Sequence, residues 1–438
     1  MNIRLEAYKI IVKVLSKNLF SDKLLQQMTK RLQVANENAD LLYALVKGII
    51  KMQNNLEYIA SLYADTNKFT ATSKKIKIII YMGLYQLLYC DSIPEYAAVH
   101  ETVNLAKKLY GDKIGNFVNA ILRAYLRSPQ IKYPVNINER LALEYSYPIE
   151  IINEWLEYWG EEKTEMLCIY YNDVPKLHIR INNMATSKSH LMQYFNRRNI
   201  KTIPSEASEN ILISDQPREV LNEIAFSEGY YSIQDTSAAL VVELLNPELD
   251  ENILDLFAAP GGKATYISEL MANTGEVIAV DKFPNKIKKL KQAVERLQIK
   301  NMRLNADDAF HFGPVAAAYD KVLLDVPCSG WGVFQKKSEL RWQFNQDMPK
   351  LLKLQSDALK LGTSFVKPGG FMIYSTCTLN KAENELQIEK FLAKNRDFKL
   401  IPASEFIKKE YTENGYLKTL PFEHDMDGAF AAKLQKNG

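Results

Sequence analysis

The stretch Asn252-Ile253-Leu254-Asp255-Leu256-Phe257-Ala258-Ala259-Pro260-Gly261-Gly262-Lys263 runs from a short apolar segment straight into a small, glycine-bearing turn. Glycines at such a turn let a ligand approach the backbone closely, and the N–H groups of a helix that starts there can serve polar ligand atoms. Outward along the chain, EVIAVD (276–281), KVLLDV (321–326) and GFMIYS (370–375) repeat the apolar texture, separated by helical patterns such as 284–297 and 347–366. Unbroken apolar runs alternating with helices mark buried parallel strands. From about residue 236 the chain therefore reads as a doubly wound α/β domain, whose ligands sit at the carboxyl ends of its strands.

Upstream the periodicity is different. Ala7, Ile10, Ile11, Val14 and Leu15, then Leu41, Leu42, Leu45, Val46, Ile49 and Ile50, recur every three or four residues and form stripes on helices. SIPEYAAVHETVNLAKKLY opens a further helix at Pro94, with Val99, Val103 and Ala106 on one face. Ser128-Pro129 and Tyr133-Pro134 break this all-helical block and predict a linker. Residues 139–165 return to a helical pattern, and KLHIRIN (176–182) and NILISD (210–215) predict short strands around a helix at 187–198. The expected organisation is multidomain: an all-α domain over 1–138, a small α+β unit over 139–235 and the α/β domain over 236–438.

Composition narrows the function classes. The chain has 438 residues, 47% hydrophobic and 24% charged, as in a folded globular protein. No apolar run reaches the ~18 residues that span a bilayer, so no membrane association is expected and the cytoplasm is the default location. Four cysteines (Cys90, Cys168, Cys328, Cys377) form no CxxC pair, and neither a disulfide framework nor a metal site is expected. The five histidines are scattered and carry no assignment. A net charge of +3 conceals an asymmetry: residues 1–145 hold 20 lysines and arginines against 12 aspartates and glutamates. An excess of that kind suits an N-terminal module that touches phosphates.

What binds at the turn can be narrowed by elimination. A P-loop would need a glycine where Phe257 stands and Ser or Thr where Ala264 stands, and a dinucleotide site would need GxGxxG. A ligand with adenosine but no phosphates remains, which S-adenosyl-L-methionine fits. Asp281, at the end of the second strand, is a natural partner for two ribose hydroxyls.

Two more strand ends carry chemistry: Asp325-Val326-Pro327-Cys328-Ser329, and Ser375-Thr376-Cys377-Thr378 followed by Glu383-Asn384-Glu385. With the turn, and with Asp427-Gly428-Ala429-Phe430-Ala431-Ala432-Lys433-Leu434 near the end, they stand in the order D-x-x-A-A-P-G-G-K, D-x-P-C-S, S-T-C-S/T with E-N-E, D-G-F-F-x-A-K-L. In this the chain resembles the Nop2/Sun family of RNA cytosine-C5 methyltransferases. Ile93-Pro94-Glu95-Tyr96-Ala97-Ala98-Val99 and Asn116-Phe117-Val118-Asn119-Ala120-Ile121-Leu122-Arg123 look like a NusB-type helical domain, the fusion found in the bacterial RsmB/Fmu branch acting on small-subunit ribosomal RNA.

The resemblance implies a Rossmann-like methyltransferase domain, an RRM-like middle unit with Arg180-Ile181-Asn182 in its R-x-N strand, and S-adenosylmethionine as cofactor. It places the cofactor on Phe257, Ala258, Ala259, Pro260, Gly261, Gly262 and Lys263, on Asp281 at the ribose, Asp308 near the adenine and Asp325 near the methionine end. Asp307 stands beside Asp308, and the Asp308-Ala309 pairing favours the latter. Ala264, Ala429 and Lys337-Ser338-Glu339-Leu340-Arg341-Trp342 depart from the usual pattern.

Carbon 5 of cytosine is too electron-poor to attack a sulfonium methyl until a nucleophile adds to carbon 6. A thiolate suits this, since it both adds and later leaves. Cys377 is the expected nucleophile, Asp325 the group that shares a proton with N3 if burial raises its pKa, and Cys328 the residue that assists release. RNA contacts are expected from Arg123, Arg180, Lys336, Lys337 and Arg341, with Trp342 as a stacking surface. The partner is RNA, small-subunit ribosomal RNA by the resemblance, and the protein is expected to be a monomer. The rival readings are the same chemistry on transfer RNA, and a non-catalytic RNA-binding assembly factor.

Overall fold

The computed structural model describes residues 2–17, 19–32, 36–313, 318–343 and 347–438, which fall into two compact units. No helix among them is long and apolar enough to cross a membrane.

The first unit takes the described residues up to Asp173 and, from far along the chain, Phe334 to Gln343. It is helical. The stripes read from the sequence become its core: Ala7, Ile10, Ile11 and Val14 of helix Ile3–Lys17 and Leu42, Leu45, Val46, Ile49 and Ile50 of helix Asn36–Lys51 are buried together. The helix predicted after Pro94 spans Glu95–Tyr110 and buries Val99 and Ala106.

The expected boundary at 138/139 does not separate compact units. Helices Ile137–Glu144 and Ile149–Asn172, the latter kinked at Gly160, pack with the preceding ones. Side-chain amides make the junction: Asn54 donates to the Ala142 and Tyr147 carbonyls (both 3.1 Å), and Asn55 to those of Leu143 (3.1 Å) and Glu144 (3.2 Å). Tyr147, Trp155, Tyr171 and Phe334 form a buried aromatic cluster with centroids 5.3–6.3 Å apart, so the returning segment supplies core as well as surface.

The second unit holds two sheets. In the smaller, β1 (Leu177–Ile181), β2 (Ile203–Pro204), β3 (Ile211–Ser214) and β4 (Tyr231–Ile233) lie antiparallel in the order β2-β3-β1-β4, backed by helix Lys188–Asn196. These include the strands expected at 176–182 and 210–215, whereas the helices expected over 139–165 in the same 139–235 unit belong to the first compact unit, which runs as far as Asp173. The larger sheet has β5 (Asn252–Asp255), β6 (Glu276–Val280), β7 (Met302–Asn305), β8 (Tyr319–Asp325) and β9 (Val366–Thr376) in parallel. An antiparallel edge adds β10 (Phe398–Ile401), β11 (Thr412–Glu413), β12 (Tyr416–Thr419) and β13 (Ala429–Lys436).

The order β11-β12-β13-β9-β8-β5-β6-β7 reverses direction between β5 and β8. After β5 the chain winds outward to β6 and β7, then crosses back to β8 and β9. The carboxyl ends of β5 and β8 thus flank the switch point where an open α/β sheet leaves its crevice.

Candidate active site

β5 delivers Asp255 and the turn that follows it, and helix Gly262–Leu270 begins on that turn. Gly261 adopts φ +109°, and a Cβ there would come within 2.2 Å of Leu290, so only glycine fits. β6 ends beside Asp281, which is buried; its Oδ1 accepts the Phe283 N–H at 2.9 Å, and Lys286 Nζ stands 3.8 Å from its Oδ2. Asp308 begins the turn after β7, its carbonyl accepting the N–H groups of His311 and Phe312 and its carboxylate that of Phe310 (3.0 Å). It is half-buried whereas Asp307 is exposed, the disposition expected if Asp308 is the inward member of the pair.

β8 and β9 are parallel neighbours and carry the two cysteine loops side by side. Cys328 and Cys377, 49 residues apart, bring their sulfurs to 3.3 Å, and the Cys377 N–H points at the Cys328 sulfur at 3.3 Å. The hydrogen bond with Cys377, reinforced by burial, pushes the Cys328 thiol well above its ordinary pKa. Cys328 is thereby held as the neutral thiol of the two.

Asp325, at the end of β8, is fixed from two sides. Lys263 Nζ donates to its Oδ2 at 2.7 Å and the Ser375 hydroxyl to its Oδ1 at 2.9 Å. Burial is the largest single influence on Lys263 and lowers its pKa, but Asp325, Cys377 and Asp255 together outweigh it and leave the pKa raised. Asp325, the group expected to share a proton with N3, thus has Lys263 as a donor beside it.

Two buried carboxyls were missing from the expected site. Glu383 accepts the Ser329 N–H (2.9 Å), the Ser329 hydroxyl and the Gln355 amide (2.9 Å), and Gln355 also reaches the Pro327 carbonyl at 3.0 Å. It thereby ties the Cys328 loop to the chain beyond Cys377. Gly332 closes the other side: its N–H donates to the Cys377 carbonyl at 3.0 Å, and a Cβ there would meet the Gly428 carbonyl oxygen at 2.0 Å. The E-N-E spacing was the available signal for Glu383, although spacing does not say which of the two glutamates turns inward.

The second missed group is Asp255. It is 1% exposed, its Oδ1 receives the Phe257 N–H at 3.3 Å, and its Oδ2 has no hydrogen-bond partner among the described residues. Burial, helped by the nearby Asp325 and opposed by Lys263, pushes its pKa up to about 8. A carboxyl whose folded-state pKa is raised contributes stability that is complete below its unfolded value near 4 and is lost as pH rises through the folded value. Asp255→Asn keeps the shape of the protonated form and removes this titration. Melting curves from pH 5 to pH 9 should show the wild type losing stability towards pH 9 and the variant gaining roughly 2–4 kcal/mol relative to it there. Parallel curves would refute a protonated Asp255.

Several of the expected RNA-contact cations lie elsewhere. Arg180 is fully buried between β1 and helix Gly262–Leu270. Arg341 is fully buried in the helical unit, where it donates to the Ser146 and Tyr171 carbonyls and the Asn172 side chain (3.3, 3.1 and 2.9 Å), and its guanidinium lies 4.0 Å over the Tyr147 ring. Neither is a surface cation: each is fully buried, with its terminal nitrogens on protein acceptors. Trp342 donates its indole N–H to the Ile50 carbonyl at 2.7 Å and packs on the helical core, which removes it as a free stacking surface. Arg123 and Lys337 are exposed and Lys336 is half-buried.

A family model described as 16S rRNA methyltransferase RsmB/F matches residues 242–435, and the NusB family model matches residues 1–127. A Synechocystis sp. protein named probable ribosomal RNA small subunit methyltransferase B is 35% identical over 401 residues, 90% of each chain. A Bacillus subtilis protein of the same name is 31% identical over 456 residues, covering 100% of this chain and 99% of its own. This chain belongs to the RsmB/F family. Among solved structures, PH0851 superposes with a TM-score of 0.83 over 98% of both chains at 25% identity. A methyltransferase homolog from Pyrococcus horikoshii gives 0.60 at 25% identity, over 69% of this chain and 99% of its own. RsmB/F membership makes the chain an S-adenosylmethionine-dependent RNA methyltransferase, with a NusB-type helical domain at the N-terminus and the methyltransferase sheet at the C-terminus.

Proposed function

We propose that this RsmB/F-family enzyme methylates carbon 5 of a cytosine in 16S ribosomal RNA through a covalent bond between Cys377 and carbon 6. The observation that carries this reading is the pair of cysteine sulfurs 3.3 Å apart at the ends of adjacent parallel strands. One thiol attacks; the other, held neutral, attends the same reacting atoms.

The cofactor reading rests on residues that fit it. Asp281 is a buried carboxylate at the end of β6, suited to ribose hydroxyls, and the Phe257–Lys263 turn offers backbone N–H groups at a helix start. Asp308 would serve the adenine, and the Asp325–Lys263 pair the methionine end. S-adenosylmethionine, when bound, supplies the electrophilic methyl group.

The chain's own residues supply the rest. The Cys377 thiolate adds to carbon 6, and the ring electrons pushed towards O2 and N3 are stabilised by the Asp325–Lys263 pair, with Lys263 as the donor. Once carbon 5 carries the methyl group, its proton passes to solvent water, the C5–H electron pair re-forms the C5–C6 double bond, and the Cys377 sulfur departs with the C6–S pair as a thiolate. Cys328 serves this release. The target base must leave its stack to reach such a site, which favours loops or distorted RNA.

Bisulfite sequencing of 16S RNA from cells with the gene, without it and complemented with Cys377→Ala tests the reading. One cytosine should be protected only in cells with the intact gene. Identical protection in all three would overturn it, and a change confined to transfer RNA would move the substrate there.

A further inference from the structure

Arg180 sits on β1 of the smaller sheet, the strand in which an RNA contact was expected. Its side chain is 0% exposed and points away from solvent, into the first turns of the cofactor helix. Nε and one terminal nitrogen grip Glu269 bidentately at 3.0 and 2.6 Å. The same terminal nitrogen reaches the Thr265 hydroxyl at 3.1 Å. The other donates to the Gly262 carbonyl at 2.6 Å and to the Gln234 side chain. The guanidinium plane lies 4.9 Å from the Tyr266 ring. The whole fork is thus used inside one protein unit.

Fold stability alone is a poor reason for such an arrangement. A buried ion pair costs much of what it returns, and well-packed apolar residues of similar volume often do as well or better. A cation against the first turns of a helix is also opposed by the helix dipole. What apolar packing cannot do is hold a carbonyl. Gly262 is the sixth residue of the Phe257–Lys263 turn, immediately after Gly261 in its left-handed conformation. Fixing the Gly262 carbonyl fixes the peptide plane next to the N–H groups that the turn presents.

We propose that Arg180 is a positioning residue for S-adenosylmethionine: it holds the Gly262 carbonyl so that the Phe257–Lys263 turn keeps its binding shape, and it makes no contact with RNA. Glu269 has a secondary part, pairing with the guanidinium and holding it correctly turned inside the protein. This inference rests on the reading of that turn as the cofactor cradle. It gives the R-x-N strand a role in cofactor binding.

The test uses the full-length enzyme. In Arg180→Met with Glu269→Leu, both charges are removed together, so the fold should melt within a few degrees of the wild type. Calorimetric titration with S-adenosylhomocysteine should nonetheless give a Kd about tenfold higher. The KM for S-adenosylmethionine should rise similarly, while kcat and the affinity for 16S RNA stay within twofold. Glu269→Gln, which leaves the Arg180 to Gly262 contact in place, should bind cofactor nearly as the wild type does.

Should the double variant fail to fold, Arg180→Lys keeps the charge opposite Glu269 but cannot span to Gly262, and it should show the same weakened cofactor binding. Unchanged cofactor affinity in a folded variant would overturn the proposal, as would lost RNA affinity with normal cofactor binding. Asp281→Ala, run alongside, separates the two readings. If it abolishes cofactor binding while the Arg180 variants do not weaken it, only the positioning role falls. If Asp281→Ala also binds normally, the assignment of the cradle falls with it.

Discussion

Replacing Cys377 with alanine should reduce methyl transfer to RNA below detection and eliminate any covalent enzyme–RNA species. Without a sulfur to add at carbon 6 there is no enamine, and carbon 5 stays too electron-poor to take a methyl group. Cys328→Ala should behave oppositely. Addition and methylation proceed, but release loses the thiol that lies 3.3 Å from the attacking sulfur, so turnover should fall roughly 10²–10⁴-fold. The adduct should then accumulate and survive denaturing electrophoresis. The double variant should show no adduct, because addition precedes release. The raised pKa of Cys328 is consistent with this division, since a neutral thiol is a poor nucleophile and a competent proton donor. If Cys377→Ala trapped RNA and Cys328→Ala did not, the two roles would be exchanged.

Arg341→Ala should destabilise the protein without touching the electrostatics of RNA binding. The guanidinium serves the Ser146 and Tyr171 carbonyls and the Asn172 side chain and covers the Tyr147 ring, all inside the helical unit. Truncation leaves those buried acceptors unsatisfied and opens a cavity beside Tyr147, at a cost of roughly 3–5 kcal/mol. Equilibrium denaturation should show that loss, while the slope of RNA affinity against salt in the folded fraction stays at the wild-type value. A surface cation that neutralises one phosphate would instead lower that slope by about one unit and leave stability nearly unchanged. Lys337→Ala, at an exposed position of the same segment, provides the comparison. A stable Arg341→Ala with a reduced slope would restore the reading of Arg341 as an RNA contact.

The same contacts bear on how the chain can be divided. Phe334 to Gln343 follows β8 in the sequence but is built into the helical unit, where Phe334 is buried among Tyr147, Trp155 and Tyr171 and Glu339 accepts the Ser21 N–H at 2.7 Å. A cut at the linker marked by Pro129 and Pro134 would part these side chains and helices Ile137–Glu144 and Ile149–Asn172 from the helices they pack with.

Features encoded within a few turns of chain were legible in the sequence. The stripes through Ile10, Ile11 and Val14 and through Leu45, Val46 and Ile49 define helix faces because a 3.6-residue period is a local property. The strand-and-turn texture around Leu254–Gly262 and Leu323–Cys328 marked the strand ends that bear the site, since ligand-bearing loops of an open parallel sheet follow the ends of its strands; which of those ends flank the switch point came from the strand order. The order of the motifs carried the chemistry for the same reason, each motif being one such end.

What only the tertiary structure decided depends on partners distant in sequence. Arg180 and Arg341 read as surface cations because arginine usually is one; each is buried by acceptors far along the chain, Glu269 and Gly262 for the first and Ser146 and Tyr171 for the second. Asp255 looks like any acid at a strand end until burial and Asp325 raise its pKa, and Glu383 is distinguished from Glu385 only by Ser329 and Gln355 closing on it. Local patterning sets which face of an element is apolar, but the charge state and role of a polar side chain follow from the groups that the completed fold packs against it.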